Sequence, residues 1–165
     1  MKIEDYIPIT HDTAVYPTVV SNFGGAYLYI GLVDEYEEFR TAFSTAVDLT
    51  DASIPKEAGD VIWYVTSLSE FFGLDTNEIL SIDAYDISTW DFNLYSIAGN
   101  IKKFYRDKKP TDIEKFTKSL QSVVANVKAR LEKTPYHFEA VLEMNFNKLK
   151  KRQLENTLHG DGDNR

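Results

Sequence analysis

Six stretches with apolar residues at helical spacing, most of them bounded by a capping or stop signal, run almost end to end through this chain, and strand-like alternation is scarce. The first covers residues 20–46 and carries Phe23, Tyr27, Ile30, Leu32, Val33, Phe39 and Phe43. A second covers 55–72, with Ala58, Val61, Ile62, Val65, Leu68 and Phe72 on one face, Pro55 suited to the first turn and Gly73 to the stop. Asp75-Thr76-Asn77-Glu78 reads as a capping box opening a short helix to about residue 87. Ser88 or Thr89 can cap a fourth helix that places Trp90, Leu94, Ile97, Ile101, Phe104 and Tyr105 inward and ends near Lys108-Lys109-Pro110. Thr111-Asp112-Ile113-Glu114 is a second capping-box signature, followed by Phe116, Leu120, Val123, Val124, Val127 and Leu131. Thr134-Pro135 starts a last helix through Val141, Leu142, Phe146 and Leu149 to about Leu154. Short capped connections between helices of this length predict an all-α antiparallel bundle of about six helices.

At 165 residues the chain suits one domain, 1–156, with a polar Gly/Asp-rich tail at 157–165. It contains no cysteine, which removes disulfide frameworks and thiolate zinc sites and fits a reducing cytoplasm. Acidic residues stand in the first six positions where a signal peptide needs an apolar run, and no stretch is apolar enough to cross a bilayer. The expectation is a cytoplasmic protein that touches no membrane. A net charge of −8 argues against binding a nucleic acid polymer, yet a site that gathers carboxylates can hold divalent cations, which in turn accept a polyphosphate.

Glu35 and Glu38 lie three apart on the first long helix, and Glu57 and Asp60 three apart on the second, a spacing that puts each pair on one helical face. An isolated pair of this kind is ordinarily a solvated face. Here Ala58 and Val61 flank the second pair on the helix expected to be most buried, and Gly59, which costs about 1 kcal/mol relative to alanine inside a helix, implies close approach of another helix or a ligand. If the two helices pack antiparallel, four carboxylates converge, and such a cluster is unfavourable unless cations fill it. Oxygen-only ligation selects hard ions, Mg²⁺ with Mn²⁺ as a substitute, over zinc or copper.

A di-iron bundle would need E-x-x-H on two helices, and none is present; His11, His137 and His159 are scattered. No nucleophile elbow, Walker loop or dinucleotide loop occurs either.

Four segments together resemble the MazG-like nucleotide pyrophosphohydrolases: Gly31-Leu32-Val33-Asp34-Glu35-Tyr36-Glu37-Glu38, Lys56-Glu57-Ala58-Gly59-Asp60-Val61-Ile62-Trp63-Tyr64, Asn145-Phe146-Asn147-Lys148-Leu149, and His159-Gly160-Asp161-Gly162-Asp163-Asn164-Arg165. They follow the family order E-x-x-E, E-x-x-D, N-x-x-K-L-x-x-R and G-x-G-D-N-R. The resemblance implies magnesium-dependent hydrolysis of a (deoxy)nucleoside triphosphate between its α and β phosphates, giving monophosphate and pyrophosphate. It implies Glu35, Glu38, Glu57 and Asp60 as metal ligands, with Glu38 also the residue that orients or deprotonates water. It further implies Asn145, Lys148 and Arg152 near the phosphates and Asp163 and Arg165 closing over the nucleotide.

Two departures qualify it. Asp34 and Glu37 stand where the family often has glycine, and the span from Trp63 to Asn145 exceeds what a minimal member needs. That span can be aligned as a decayed second copy, with half-repeats 20–87 and 88–156. The alignment sets Asn100 and Lys103 against Glu35 and Glu38, Ser119 and Ser122 against Glu57 and Asp60, and Asp83 and Asp86 against Asn145 and Lys148. Substrate choice stays open between broad pool control or house-cleaning and a dUTP- or dCTP-selective diphosphatase. A catalytically silent helical adaptor with acidic docking faces is the alternative from another class, and pairing into a homodimer is left open.

Overall fold

The computed structural model describes residues 1–14, 23–85, 92–108 and 112–155. Among them lie seven helices and no strand: α1 (Ile3–Asp12), α2 (Gly24–Thr45), α3 (Ser53–Phe71), α4 (Thr76–Leu80), α5 (Phe92–Asp107), α6 (Ile113–Leu131) and α7 (Phe138–Leu154). The all-α class read from periodicity therefore holds. None of these helices is long and apolar enough to cross a membrane.

The stops and starts follow local chemistry. Gly73, at φ 64°, ends α3 in a full Schellman motif, in which Leu74 N donates to Ser69 O at 2.9 Å and Gly73 N to Glu70 O at 3.1 Å. Asp75 caps α4 by accepting from Glu78 N at 2.9 Å. Asp112 caps α6, accepting from Lys115 N at 2.8 Å.

Four expectations need correction. Helix α4 ends at Leu80 rather than near 87, because Lys128 Nζ on α6 takes the carbonyls of Leu80 and Ile82 at 2.8 and 2.7 Å, satisfying acceptors that a longer helix would have used. The inner face of α2 is Leu28, Leu32, Tyr36 and Phe39, all buried, whereas Phe23, Tyr27, Ile30 and Val33 stand 63%, 46%, 67% and 36% exposed. Helix α1, with Pro8 in its interior, adds an element that periodicity did not suggest. The last helix also starts three residues after Pro135, at Phe138. Trp90 and the tail lie outside the described residues.

Helix α3 is the axis of the bundle, touched by α1, α2, α4, α6 and α7. It runs antiparallel to α2, with Gly24 and Gly25 at one end meeting Phe71 and Phe72, Gly31 meeting Tyr64, and Glu35 meeting Asp60 further along. The two helices approach closely because Gly31 has no side chain: a Cβ there would lie 2.1 Å from the Tyr64 ring. Helix α7 covers the other side, and α1 lies along α7, its N-terminal ammonium donating to Glu139 O at 2.9 Å. Phe71, Phe72, Phe104 and Phe116 interlock edge to face where α3, α5 and α6 meet.

Helices α5 and α6 form a second packed pair. Ser119, aligned with Glu57, donates to Ser96 Oγ at 2.8 Å.

Candidate carboxylate site

Antiparallel packing of α2 on α3 decides which acids meet. Glu35, Glu57 and Asp60 each present an oxygen within 4.8 Å of the others, a group able to hold a metal ion. Glu57 is 7% exposed, and Glu35 and Asp60 are half-buried. Removed from bulk water and facing each other, such groups resist ionisation together. At Glu35, burial first, then Asp60, Glu38 and Glu57, push the carboxyl up to about 8 against a pull from Lys148.

Glu38, expected as the fourth ligand, stands apart from that trio. It is exposed at the rim one turn along α2, where partial burial and then Glu57 and Asp34 raise its pKa. Lys56 closes the same rim, its Nζ 2.8 Å from Glu57 Oε1.

Asp60 is held from α7. Asn145 Nδ2 donates to Asp60 Oδ1 at 2.8 Å, and the Lys148 ammonium contacts both carboxylate oxygens. Asn145 and Lys148 lie three apart, so both reach α3 from one face of α7. Gly59 makes this approach possible: a Cβ on it would sit 2.8 Å from Asn145 Cβ. The close approach anticipated at Gly59 is thus made by α7. Arg152, 9% exposed, lies one turn past Lys148 on the same face. Asp163 and Arg165 fall outside the described residues, as does His159; His11 and His137 are exposed and outside the carboxylate trio.

No protein-family model, curated protein or solved structure matches the chain.

Chemically, the site offers three oxygen donors from two helices, a cation from a third, and an exposed carboxylate at its edge. Oxygen-only donors with net negative charge fit a hard divalent cation. The raised Glu35 pKa, set by burial first and by the neighbouring carboxylates second, adds to that fit, because a cation would relieve the repulsive part.

Reasoning from the chain alone missed Tyr6. Buried on α1, it donates from its hydroxyl to Asn145 Oδ1 at 2.8 Å, completing a line of contacts from α1 through α7 to Asp60. A single tyrosine beside Pro8 carries no motif that would have flagged it.

Proposed function

We propose that this chain is a divalent-cation-dependent nucleoside triphosphate pyrophosphohydrolase of the MazG-like kind, using Mg²⁺ with Mn²⁺ as a substitute. The observation that carries the reading is the convergence of Glu35, Glu57 and Asp60 from two antiparallel helices, with Lys148 and Asn145 directed onto Asp60 from a third. The motif resemblance supports the reaction class, and the oxygen-only donor set supports the metal class.

In this reading Glu35, Glu57 and Asp60 hold the cation. When bound, the ion neutralises the triphosphate and polarises a phosphoryl oxygen. Glu35, holding a proton at neutral pH when the cluster has no cation, surrenders it as a cation binds. Glu38 is exposed and outside the trio, which suits it to orient the attacking water and take its proton. Lys148 and Arg152, one turn apart, present positive charge toward the phosphates, where charge builds in phosphoryl transfer.

The test is incubation of the purified protein with a panel of ribo- and deoxyribonucleoside triphosphates and Mg²⁺, with separate detection of pyrophosphate and phosphate. Pyrophosphate and monophosphate in equal amounts, abolished by Asp60→Asn, are the expected result, and the panel ranks dUTP and dCTP against the rest. Phosphate as the product, or turnover untouched by Asp60→Asn and Glu57→Gln, overturns the reading.

A further inference from the structure

We infer that Tyr6 is a positioning residue of the carboxylate site, whose hydroxyl holds the Asn145 side-chain amide in the orientation that presents its nitrogen to Asp60. A side-chain amide has an accepting end and a donating end of nearly the same shape, so its orientation is set by its partners. Here both ends are assigned. Tyr6 donates to Oδ1 at 2.8 Å, and Nδ2 donates to Asp60 Oδ1 at 2.8 Å.

Both groups are out of solvent, with Tyr6 0% and Asn145 3% exposed, so neither end of the amide can exchange its partner for bulk water. Burial, with Asp60 close by, raises the Tyr6 pKa well above its usual value, which keeps the hydroxyl protonated and able to donate. Rotated by half a turn, the amide would set oxygen against carboxylate oxygen, so the observed orientation is the one that satisfies all three residues. Without the Tyr6 hydroxyl, Oδ1 becomes a buried acceptor lacking its donor, and the amide is no longer held from behind.

Groups that hydrogen-bond a ligating carboxylate set its direction and basicity, and Tyr6 acts one step behind such a group. Its place on α1 also gives that helix a purpose beyond packing: the N-terminal ammonium bonds Glu139 O at 2.9 Å and lies 3.6 Å from Glu143, holding this end of the chain against α7 on the N-terminal side of Asn145. The effect on cation affinity rests on the proposed cation site, whereas the orientation of the amide does not.

The experiment uses full-length protein labelled with ¹⁵N-asparagine, with the Asn145 side-chain signal identified by its loss in Asn145→Ala. In Tyr6→Phe that signal is expected to shift or split, and Mn²⁺ binding followed by electron paramagnetic resonance to weaken about 10–100-fold. Tyr6→Phe should weaken it no further in an Asn145→Ala background. Tyr36→Phe is the control, since Tyr36 also donates from a buried hydroxyl to an asparagine, Asn126, at 2.9 Å. It is expected to change neither readout. An unmoved Asn145 signal in Tyr6→Phe, or an equal loss of Mn²⁺ affinity in Tyr36→Phe, overturns the assignment. If the wild-type protein binds no Mn²⁺, the cation site falls and the Asn145 signal alone still judges Tyr6. Should Tyr6→Phe not fold, the wild-type protein decides: a slowly exchanging Tyr6 hydroxyl proton close to Asn145 supports the assignment, and a freely exchanging one overturns it.

Discussion

Gly59 on α3 faces Asn145 on α7 so closely that a methyl group at Gly59 would lie 2.8 Å from Asn145 Cβ and 3.1 Å from its Nδ2. Cβ is the atom of Asn145 least able to move, because it is bonded to the backbone of α7. Gly59→Ala therefore forces two helices apart at the point where Asn145 and Lys148 reach Asp60. The helix-propensity gain of alanine, about 1 kcal/mol, is outweighed by overpacking. The expected net loss is about 1–2 kcal/mol in chemical denaturation, with cation affinity falling in the same variant.

Glu35 makes stability depend on pH. Its carboxyl ordinarily titrates near 4.5 and is pushed up to about 8 in the fold, so between those values the folded protein keeps a proton that the unfolded chain releases. The stability from this group is fully present below about pH 4.5 and is lost as pH rises through about 8. In chelator, Glu35→Gln should flatten that slope and raise stability at pH 9 by roughly 2–4 kcal/mol. Under the proposed function, Mg²⁺ binding at pH 7 should also release about one proton, read by calorimetry in buffers of different ionisation enthalpy.

Under the proposed function, Lys148 and a divalent cation compete for Asp60. Because the ammonium contacts both carboxylate oxygens, Lys148→Met should tighten Mn²⁺ binding roughly tenfold, the change that about 1.4 kcal/mol of lost charge repulsion carries. Under the proposed function, turnover of a nucleoside triphosphate should fall in the same variant, since a positive charge beside the site is gone. Weaker Mn²⁺ binding in Lys148→Met would contradict this picture.

The two faces of α2 should respond differently to truncation. Leu32, fully buried, is expected to cost about 2–5 kcal/mol when changed to alanine. Ile30, 67% exposed, should change stability by less than about 0.5 kcal/mol on the same substitution. Thermal denaturation of both variants checks the assignment.

Most of the helices were legible in the chain because their signals are local. The apolar spacing of α6 predicted its buried residues Phe116, Leu120, Val123, Val124, Val127 and Leu131, and Gly73 marked the end of α3, since a helix stop depends on the conformation one residue can adopt. The three-residue spacing of Glu57 and Asp60 likewise placed both on one face before any packing was known.

Other features depended on which helix lies against which. Helix α2 carries apolar residues around much of its circumference, so spacing could not choose its inner face; packing in the bundle, chiefly on α3, buried Leu28, Leu32, Tyr36 and Phe39. Helix α4 ended early because Lys128, far along the chain, took its carbonyls. The acids on α2 and α3 were visible as pairs, but the packing of α2 on α3 brought Glu35 into the trio and left Glu38 exposed outside it. Tyr6 and Asn145 are 139 positions apart and share no motif, so no local reading could join them. Short-range signals determine where this chain turns helical; only the crossing of α1, α2, α3 and α7 determines which side chains share a site, because that is a property of distance in space.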